Sequence, residues 1–297
     1  MAIVAIGIAS YQEKITYEQY TTKYRNLGYT DVVALDAPIR IEGEDAIERT
    51  SPTLYAIGDR TDPTNVPVDT VKIKLNAIGG NKWTAPGDMI TWEVDLTDKP
   101  SGLYYISFRA KQNVSRGLFS TRRVYINNVI PFAEANIARF SYSGDFKVVT
   151  LGDKDKPYAF FLEGGKKNTI SLESTLGEYG VPISQVQGVI DMLNDLYLRI
   201  IAVTGLKPDP LINYYLYGEN ARVERTLETF QEAADILAQV ADNIIKISGE
   251  KSDKIAILET MEIQLRDMIK KPRSIQERLN SFSKNISSLG TWISDVK

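Results

Sequence analysis

Hydrophobic and polar positions alternate with a period of two over the middle of the chain, from about residue 39 to residue 176. The alternating segments recur at intervals of about ten residues, with Gly, Pro, Asn and Asp between them, as in "MITWEVDL", "RRVYINN" and "NTISLEST". This pattern is typical of strands with one buried face. It favours two packed sheets, so we expect a β-sandwich of the jelly-roll type.

From about residue 182 onward, apolar residues recur at spacings of three and four, which marks one face of a helix. The last segment carries such a seam at Ile275, Leu279, Phe282, Ile286, Leu289, Ile293 and Val296. A second seam runs through Val223, Leu227, Phe230, Ala234, Leu237, Ala241 and Ile244.

Turn residues close these helices and indicate two more. Gly249 follows the second seam, and Gly205 ends an earlier helix, because glycine suits the residue after a helix. Another helix is predicted from a cap at Ser252 and Asp253 to just before Pro272. Four amphipathic helices with mostly short links predict an up-and-down four-helix bundle.

The N-terminal segment has a different pattern. Residues 2 to 11 are an apolar strand candidate, and "TYEQYTTKYRNLG" predicts a short helix. Thr16 and Gln19 have the spacing of a capping box. The tyrosines of this helix, Tyr17, Tyr20 and Tyr24, share one face, and packing onto the neighbouring domain is a simpler interpretation than ligand stacking.

Together the patterns predict two main domains of different class, a β-sandwich followed by a helical bundle. The expected boundaries are residues 1–38 for the N-terminal strand and helix, 39–178 for the sandwich and 179–297 for the bundle. The opening "MAIVAIGIAS" lacks a basic region and is too short to span a bilayer of about 30 Å. We expect this chain to be part of a longer parent protein.

Composition excludes several kinds of chemistry. The 297 residues carry a net charge of -3, so a basic stripe for nucleic acid is not expected. The chain has no Cys and no His. Cysteine nucleophiles, Ser–His–Asp catalysis and most transition-metal sites are therefore excluded, whereas carboxylate, Lys, Tyr and hard-cation chemistry remain.

The stretch "IEGEDA" raises three alternatives. Read as a strand, it places Glu42 and Glu44 on one face and Asp45 on the other. Neighbouring glutamates repel each other and gain from a shared cation, so a structural Ca²⁺ at Glu42 and Glu44 is one interpretation. A solvated strand edge is the second. A catalytic pair is the least favoured, because such pairs face each other across roughly 5–9 Å.

The order of several motifs resembles carbohydrate-binding modules of families 6 and 35. The motifs, in chain order, are "IEGEDA", "GDMITWEVDL", "GLYYISFRAK", "RVYINN" and "FLEGGKKNTISLE". The resemblance covers about residues 39 to 176 and implies a jelly roll whose first strand donates glutamate to calcium. Two features depart from the family: Asn168 replaces a frequent His, and helices intervene before the closing strand. That strand would come from residues 2–11 or from native sequence beyond Lys297.

A second resemblance extends over more of the chain. The segments "SPTLYAIGDRTDP", "KIKLNAIGGNKWTAPGDMITWEV", "LGDKDKPYAFFLEGGKKNTISLESTLG" and "LGTWISDV" are similar to the accessory region of large extracellular solute-binding lipoproteins. These lipoproteins belong to carbohydrate ABC importers of Gram-positive bacteria. The resemblance implies a cell-surface role without the transport receptor's own core.

Loop residues supply the candidate ligand site. Exposed aromatics stack on sugar rings while polar neighbours bind the hydroxyls. The candidates are Trp83, Tyr55, Asp59, Arg60, Asn113, Arg116 and Arg122. Arg109, Arg116, Arg122 and Arg123 also suit an anionic sugar such as a uronic acid, although pairing with Asp or Glu of the same domain is the simpler interpretation. Trp92 lies within an alternating strand and is expected in the core.

We therefore expect a non-catalytic carbohydrate-binding module that is held outside the cell by a larger parent protein. Its expected partners are an oligo- or polysaccharide and the rest of the parent, with no nucleic acid and no membrane span in this chain. One alternative is a structural or protein-interaction module that docks a transporter or a cell-wall partner, with Tyr214, Tyr215 and Tyr217 on its surface. A carboxylate-based glycoside hydrolase using Glu42 or Glu44 is the other.

Overall fold

The computed structural model describes residues 14–67, 69, 71–153 and 155–297, which form two compact units. The first unit comprises the described residues up to Ala110, Thr121–Arg139 and Phe146–Thr175. The second comprises Lys111–Ser120, Phe140–Asp145 and Leu176–Lys297. The first is rich in sheet and the second contains the long helices, as predicted in outline. The predicted strand at residues 2–11 lies outside the described residues.

Short antiparallel strands make up most of the first unit, and the ends of two of them, Phe119–Ser120 and Phe140–Ser141, belong to the second. In chain order they are β1 Glu48–Arg49, β2 Ala56–Ile57, β3 Ala77–Ile78, β4 Met89–Asp95, β5 Gly102–Tyr105, β6 Ser107–Ala110, β7 Phe119–Ile126, β8 Ala138–Ser141, β9 Lys147–Thr150, β10 Gly152–Asp153, β11 Lys156–Pro157, β12 Ala159–Leu162 and β13 Lys167–Thr175. One five-stranded sheet has the order β1-β4-β13-β7-β8. The other pairs are β2 with β3, β5 with β12, β6 with β9 and β10 with β11. The jelly-roll topology stays a prediction.

The register of the five-stranded sheet explains its apolar face. Ile170 of β13 lies opposite Trp92 of β4 on one side and Ile126 of β7 on the other. All three side chains are at most 7 % exposed. Alternation along each strand therefore forms a continuous apolar face, and the prediction that Trp92 belongs to the core is confirmed.

The backbone turns at two asparagines after β7. Asn127 and Asn128 follow β7 with φ values of 49° and 65°, the left-handed region that asparagine tolerates. Asn127 donates from Nδ2 to Oδ1 of Asn168, which is fully buried. Asn168 also donates to the Glu163 carbonyl oxygen at 2.8 Å. Asn168 thus ties together two turns.

The predicted N-terminal helix is α1, Tyr17–Asn26, and it begins with the expected capping box at Thr16 and Gln19. Its tyrosines pack on β12. The Tyr20 hydroxyl accepts a hydrogen bond from the Phe161 backbone N–H at 2.8 Å, and the Tyr17 hydroxyl accepts one from the Ala159 N–H at 2.8 Å. These hydroxyls provide acceptors for backbone N–H groups at the edge of a strand. Packing against β12 therefore accounts for the tyrosine face of α1, as predicted.

The strand predicted for "IEGEDA" is wrong. Gly43–Asp45 form a single 3-10 turn after Glu42, closed by a hydrogen bond from the Asp45 N–H to the Glu42 carbonyl oxygen. The Gly43 carbonyl oxygen accepts a hydrogen bond from Nε1 of Trp92 at 2.9 Å. This distant contact fixes the turn, and β1 begins only at Glu48.

The second unit contains four long helices, which confirms the predicted helical region. They are α2 Gly180–Thr204, α3 Thr226–Ser248, α4 Ile255–Lys270 and α5 Leu279–Val296. Gly205 and Gly249 end α2 and α3 with φ values of 73° and 78°. The helix predicted from Ser252 begins at Ile255, and the Ser252 hydroxyl accepts a hydrogen bond from the Lys254 N–H.

The two predicted apolar seams form the bundle core. Every seam residue is buried except Leu227 and Val296, which are half-buried. Phe230 and Phe282 meet edge to face at 5.4 Å between ring centroids. The spacing of apolar residues by three and four positions therefore predicted which faces of α3 and α5 are packed in the core. Over the described ranges, no helix combines the length and hydrophobicity that a bilayer span requires.

Candidate functional site

The paired strands β2 and β3 organise the candidate site of the first unit. Ala56 lies opposite Ile78, and Ile57 opposite Ala77. Because the strands are antiparallel, Tyr55 before β2 and Gly79 after β3 lie at the same end of the pair. The register thus places Tyr55 beside the turn that leads to Trp83. The two aromatic residues predicted to bind ligand, Tyr55 and Trp83, therefore come from adjoining loops.

Glycine is required at the turn that leads to Trp83. Gly79 has a φ of 91°, which L side chains rarely adopt. A Cβ atom at this position would lie 2.9 Å from Cε3 of Trp83. The indole ring therefore packs directly against the backbone of the turn, which fixes its position.

Trp83 is half-buried and held by two further contacts. Its Nε1 donates a hydrogen bond to the Asp88 carbonyl oxygen at 3.0 Å. The guanidinium carbon of Arg122 lies over the ring, 4.4 Å from its centroid. The Trp92 ring lies 6.3 Å away between centroids. Trp83 is therefore a pre-positioned side chain, and Arg122 already covers part of its ring.

Arg122 is a cation bound by backbone carbonyl groups. Its guanidinium donates to the Thr121 oxygen at 2.8 Å and to the Trp83 oxygen at 3.0 Å. Within the described ranges it forms no ion pair with a carboxylate. Burial lowers the pKa of Arg122 to about 10, so the group remains charged at neutral pH. Such a cation favours a nearby anionic ligand.

The acidic turn lies next to this cluster through Trp92. Oε2 of Glu44 is buried and has no hydrogen-bond partner among the described residues. Burial raises the pKa of Glu44, and the charges of Glu42 and Asp45 raise it further. A cation would relieve this repulsion. However, no group of three or more Asp or Glu side chains in the described ranges is arranged to hold a metal ion. The turn therefore fits calcium only in part.

Asp59 and Arg60 lie at the other end of the β2–β3 pair. Oδ1 of Asp59 accepts hydrogen bonds from the Thr61 N–H at 2.7 Å and the Thr61 hydroxyl at 2.6 Å. The Asp59 N–H donates to Oδ1 of Asn76 at 2.7 Å, and Nδ2 of Asn76 donates to the Asp59 oxygen and to the Pro67 oxygen. Asp59 therefore shapes its loop, whereas the Arg60 side chain is exposed.

Asn76 is a loop-organising residue that was not predicted from the sequence. This residue joins both arms of the loop that begins after β2, so it positions Arg60. Its only sequence signal was an Asn just before the short strand in "LNAIGG". Periodicity does not identify such a residue, because its partners are set by the loop's tertiary path.

Two of the four arginines considered for an anionic ligand are paired within the first unit. Arg109 forms an ion pair with Asp62 at 2.7 Å, and Arg123 forms one with Glu173 at 3.1 Å. The simpler interpretation of these two residues is confirmed. Arg122 differs from them, since its partners are carbonyl groups and an aromatic ring.

Asn113 and Arg116 belong to the second unit. Both are exposed, in a loop that the Gln112 side chain organises through its contacts with Ser115. The Arg116 carbonyl oxygen accepts a hydrogen bond from the Ser252 hydroxyl at 2.9 Å. The candidate site of the first unit therefore consists of Tyr55, Trp83 and Arg122, with Asp59 and Arg60 at the far end of the strand pair.

Comparison with known proteins finds a similarity in the helical region. No curated protein matches the chain. Residues 182–296, from the third residue of α2 to the end of α5, match the family model described as "Bacterial solute-binding protein, 4-helix bundle domain". The predicted helical accessory region is therefore similar to the helical bundle domain of bacterial solute-binding proteins.

Proposed function

We propose that this chain is an accessory part of a bacterial solute-binding protein and serves carbohydrate uptake through an ABC transporter. The observation that carries this proposal is the match of residues 182–296 to the helical domain of such proteins. Solute-binding proteins capture their solute outside the cytoplasmic membrane, so we place the chain outside the cell and joined to the surface through its parent.

The β-rich unit is proposed as the part that binds carbohydrate. Tyr55 is 53 % exposed and lies beside the Trp83 turn. An exposed, rigid tyrosine ring stacks on the C–H face of a sugar at a low cost in conformational entropy. Trp83 is already covered in part by Arg122, so we assign the main stacking contact to Tyr55 and a flanking contact to Trp83.

An acidic sugar is the proposed ligand class. Arg122 is charged at neutral pH and pairs with no carboxylate of the described residues. A guanidinium binds a carboxylate in two-point geometry, and such a bond is about twice as strong as a neutral one. We therefore propose a uronic-acid-containing saccharide, whose carboxylate contacts Arg122 while its ring stacks on Tyr55.

Binding without catalysis is the proposed mode of action. The chain has no His to act as a general base, and Glu42 and Glu44 lie in one turn, whereas glycosidase carboxylates face each other across a cleft. Structural calcium at Glu42 and Glu44 remains part of the proposal. Its support is the buried oxygen of Glu44, which has no hydrogen-bond partner within the described part of the chain.

A glycan array probed with the full chain tests the proposal. We expect binding to acidic saccharides that Tyr55→Ala abolishes. The matched control is Tyr105→Ala, because Tyr105 is 52 % exposed on β5 of the same unit. If the folded chain binds no saccharide on the array, the proposed carbohydrate binding is refuted. Hydrolysis of a chromogenic glycoside that Glu44→Gln abolishes would instead favour the hydrolase alternative.

A further inference from the structure

One end of the helical bundle is formed by residues 205–225 and 270–278, which we call the distal end. Nε2 of Gln276 joins the two segments by donating a hydrogen bond to the Pro210 oxygen at 2.9 Å. The Arg199 guanidinium donates to the Glu224 oxygen at 3.2 Å and ties the end of α2 to this loop. The bundle begins at Gly180 and α5 finishes at Val296, both at the opposite end.

Apolar side chains protrude from the distal end. Leu211 is 94 % exposed and Leu206 72 %, and Ile212 and Tyr215 are each about half exposed. These four belong to a set of seven exposed large hydrophobic side chains in residues 176–297. Scattered exposed leucines are ordinary, whereas a local group of this kind marks an interaction surface.

The protruding turn is ordered by its own hydrogen bonds. Oδ1 of Asp209 accepts from the Leu211 N–H at 2.9 Å, and the Asp209 oxygen accepts from the Ile212 N–H at 3.2 Å. The Asp209 N–H in turn donates to the Tyr214 hydroxyl at 2.9 Å. The Asx turn directs Leu211 outward, so its exposure is built into the loop.

Charge is unevenly distributed over the bundle. The distal end carries four acidic residues and seven basic ones. The basic residues are Lys207, Arg222, Arg225, Lys270, Lys271, Arg273 and Arg278. The rest of residues 176–297 carries thirteen acidic and seven basic residues. Lys207, Lys270, Lys271 and Arg273 form no ion pair with any described residue. The distal end therefore combines exposed apolar side chains with a net positive charge, whereas the rest of the bundle has a net negative charge.

We propose that the distal end docks on an anionic membrane surface. Leu211 and Ile212 would enter the headgroup region, and the lysines of the distal end would contact lipid phosphates. Charge complementarity favours this occupant, and a protruding tip suits a fluid surface that needs no preformed pocket. The proposal does not depend on saccharide binding, because its residues all lie in the bundle.

Co-sedimentation of the full chain with lipid vesicles tests the docking. Two kinds of vesicle are compared: pure phosphatidylcholine, and an equimolar mixture of phosphatidylcholine and phosphatidylglycerol. We expect binding to the mixture alone, weakened by added salt. Lys270→Ala with Lys271→Ala should weaken it about 30-fold, since each basic residue near such a surface contributes about 1 kcal/mol.

Leu211→Asp should weaken vesicle binding at least about tenfold. The variant loses the free energy that is gained when the leucine side chain moves from water into the membrane surface. Ile263→Asp is the matched control, because Ile263 is 60 % exposed on α4 and lies outside the distal end. Lys246→Ala with Lys297→Ala is the charge control. Both controls should bind like the unaltered chain.

Three results would overturn the proposal. One is equal binding to both kinds of vesicle. Another is equal weakening by Leu211→Asp and Ile263→Asp. The third is self-association of the chain in light scattering that Leu211→Asp abolishes, without any vesicle binding, because the surface would then join two copies of the protein. All variants alter exposed side chains, so their circular dichroism should match that of the unaltered chain.

Discussion

The guanidinium carbon of Arg122 lies 4.4 Å from the centroid of the Trp83 ring, and the same guanidinium donates a hydrogen bond to the Trp83 carbonyl oxygen. One side chain thus holds both the ring and the backbone of a loop from a different part of the chain. This contact fixes the candidate site before any ligand binds. The charged group beside the ring has no carboxylate partner among the residues that the structure describes.

Arg122→Ala should destabilise the protein by about 2 kcal/mol, because hydrogen bonds from charged groups contribute about 1.5–3 kcal/mol each and part of the loss is recovered by water. Urea unfolding followed by tryptophan fluorescence measures the change. Arg60→Ala is the control, since Arg60 is exposed and its loss should cost no more than about 0.5 kcal/mol. Equal unfolding midpoints for the two variants would contradict the role assigned to Arg122.

Tyr20→Phe should cost about 1–3 kcal/mol, because it leaves the partly buried N–H of Phe161 without this acceptor. Chemical unfolding of the full chain measures this loss. Tyr55→Phe, which removes a hydroxyl from an exposed ring, should have almost no effect. A similar loss in both variants would show that the Tyr20 hydroxyl is not a specific acceptor.

The same tyrosine predicts a pH dependence. Burial raises the pKa of Tyr20 above its ordinary value of 10.0. A group whose pKa is higher in the folded state stabilises the protein fully below its unfolded pKa, and this contribution is lost as the pH rises beyond that value. The free energy of unfolding should therefore fall above about pH 10, and less steeply in Tyr20→Phe. Identical slopes would contradict the burial of a neutral phenol.

Glu44 gives a prediction at lower pH. Burial raises the pKa of Glu44 above its ordinary value of 4.5. The stability that protonated Glu44 contributes is present below pH 4.5 and is lost as the pH rises through the folded-state pKa. Glu44→Gln should therefore raise the unfolding temperature at neutral pH and leave it nearly unchanged in acid. Glu48→Gln is the control, because Glu48 is exposed on β1.

Calcium provides a separate comparison at the same turn. If Glu42 and Glu44 hold the ion, added Ca²⁺ should raise the unfolding temperature of the unaltered chain and leave that of Glu44→Gln unchanged. Differential scanning calorimetry with calcium and with a chelator measures both. A shift of equal size in the two proteins would place any bound calcium elsewhere.

The bundle core gives a stability prediction of larger size. Phe282 is fully buried, and its ring contacts those of Phe230 and Tyr197. Phe282→Ala should lower the free energy of unfolding by about 3–5 kcal/mol. The helical circular dichroism signal of the full chain measures this loss during unfolding. Leu198→Ala, at a position that is 60 % exposed, should cost no more than about 0.5 kcal/mol. A loss below about 1 kcal/mol at Phe282 would contradict a packed core.

Regular periodicity made the helices predictable from the sequence. The seam through Phe282 and Leu289 repeats every three or four residues, and packing follows directly from that spacing. The turn at Asn127 and Asn128 was predictable for a local reason as well, because asparagine tolerates positive φ. These features depend on neighbouring residues alone.

Features set by distant contacts were not predictable in the same way. "IEGEDA" alternates like a strand, but its turn is fixed by a hydrogen bond to Trp92, 49 residues away. The loop at Asn113 and Arg116 reads as part of the sandwich. It belongs instead to the second unit, where the Ser115 hydroxyl donates to the Asp295 oxygen, 180 residues away. No local pattern encodes either partner.

Calorimetric titration of the full chain with a matched pair of ligands is the decisive test of acidic-saccharide binding. The pair is an oligogalacturonide and the neutral galactose oligomer of the same length. We predict that the acidic ligand binds more tightly than the neutral one. Tyr55→Ala should abolish the binding of both ligands, and Arg122→Gln should abolish only the preference for the acidic one. Binding should persist in Tyr105→Ala. Absence of heat with either ligand, or equal affinity for the two in the unaltered chain, would contradict acidic-saccharide binding.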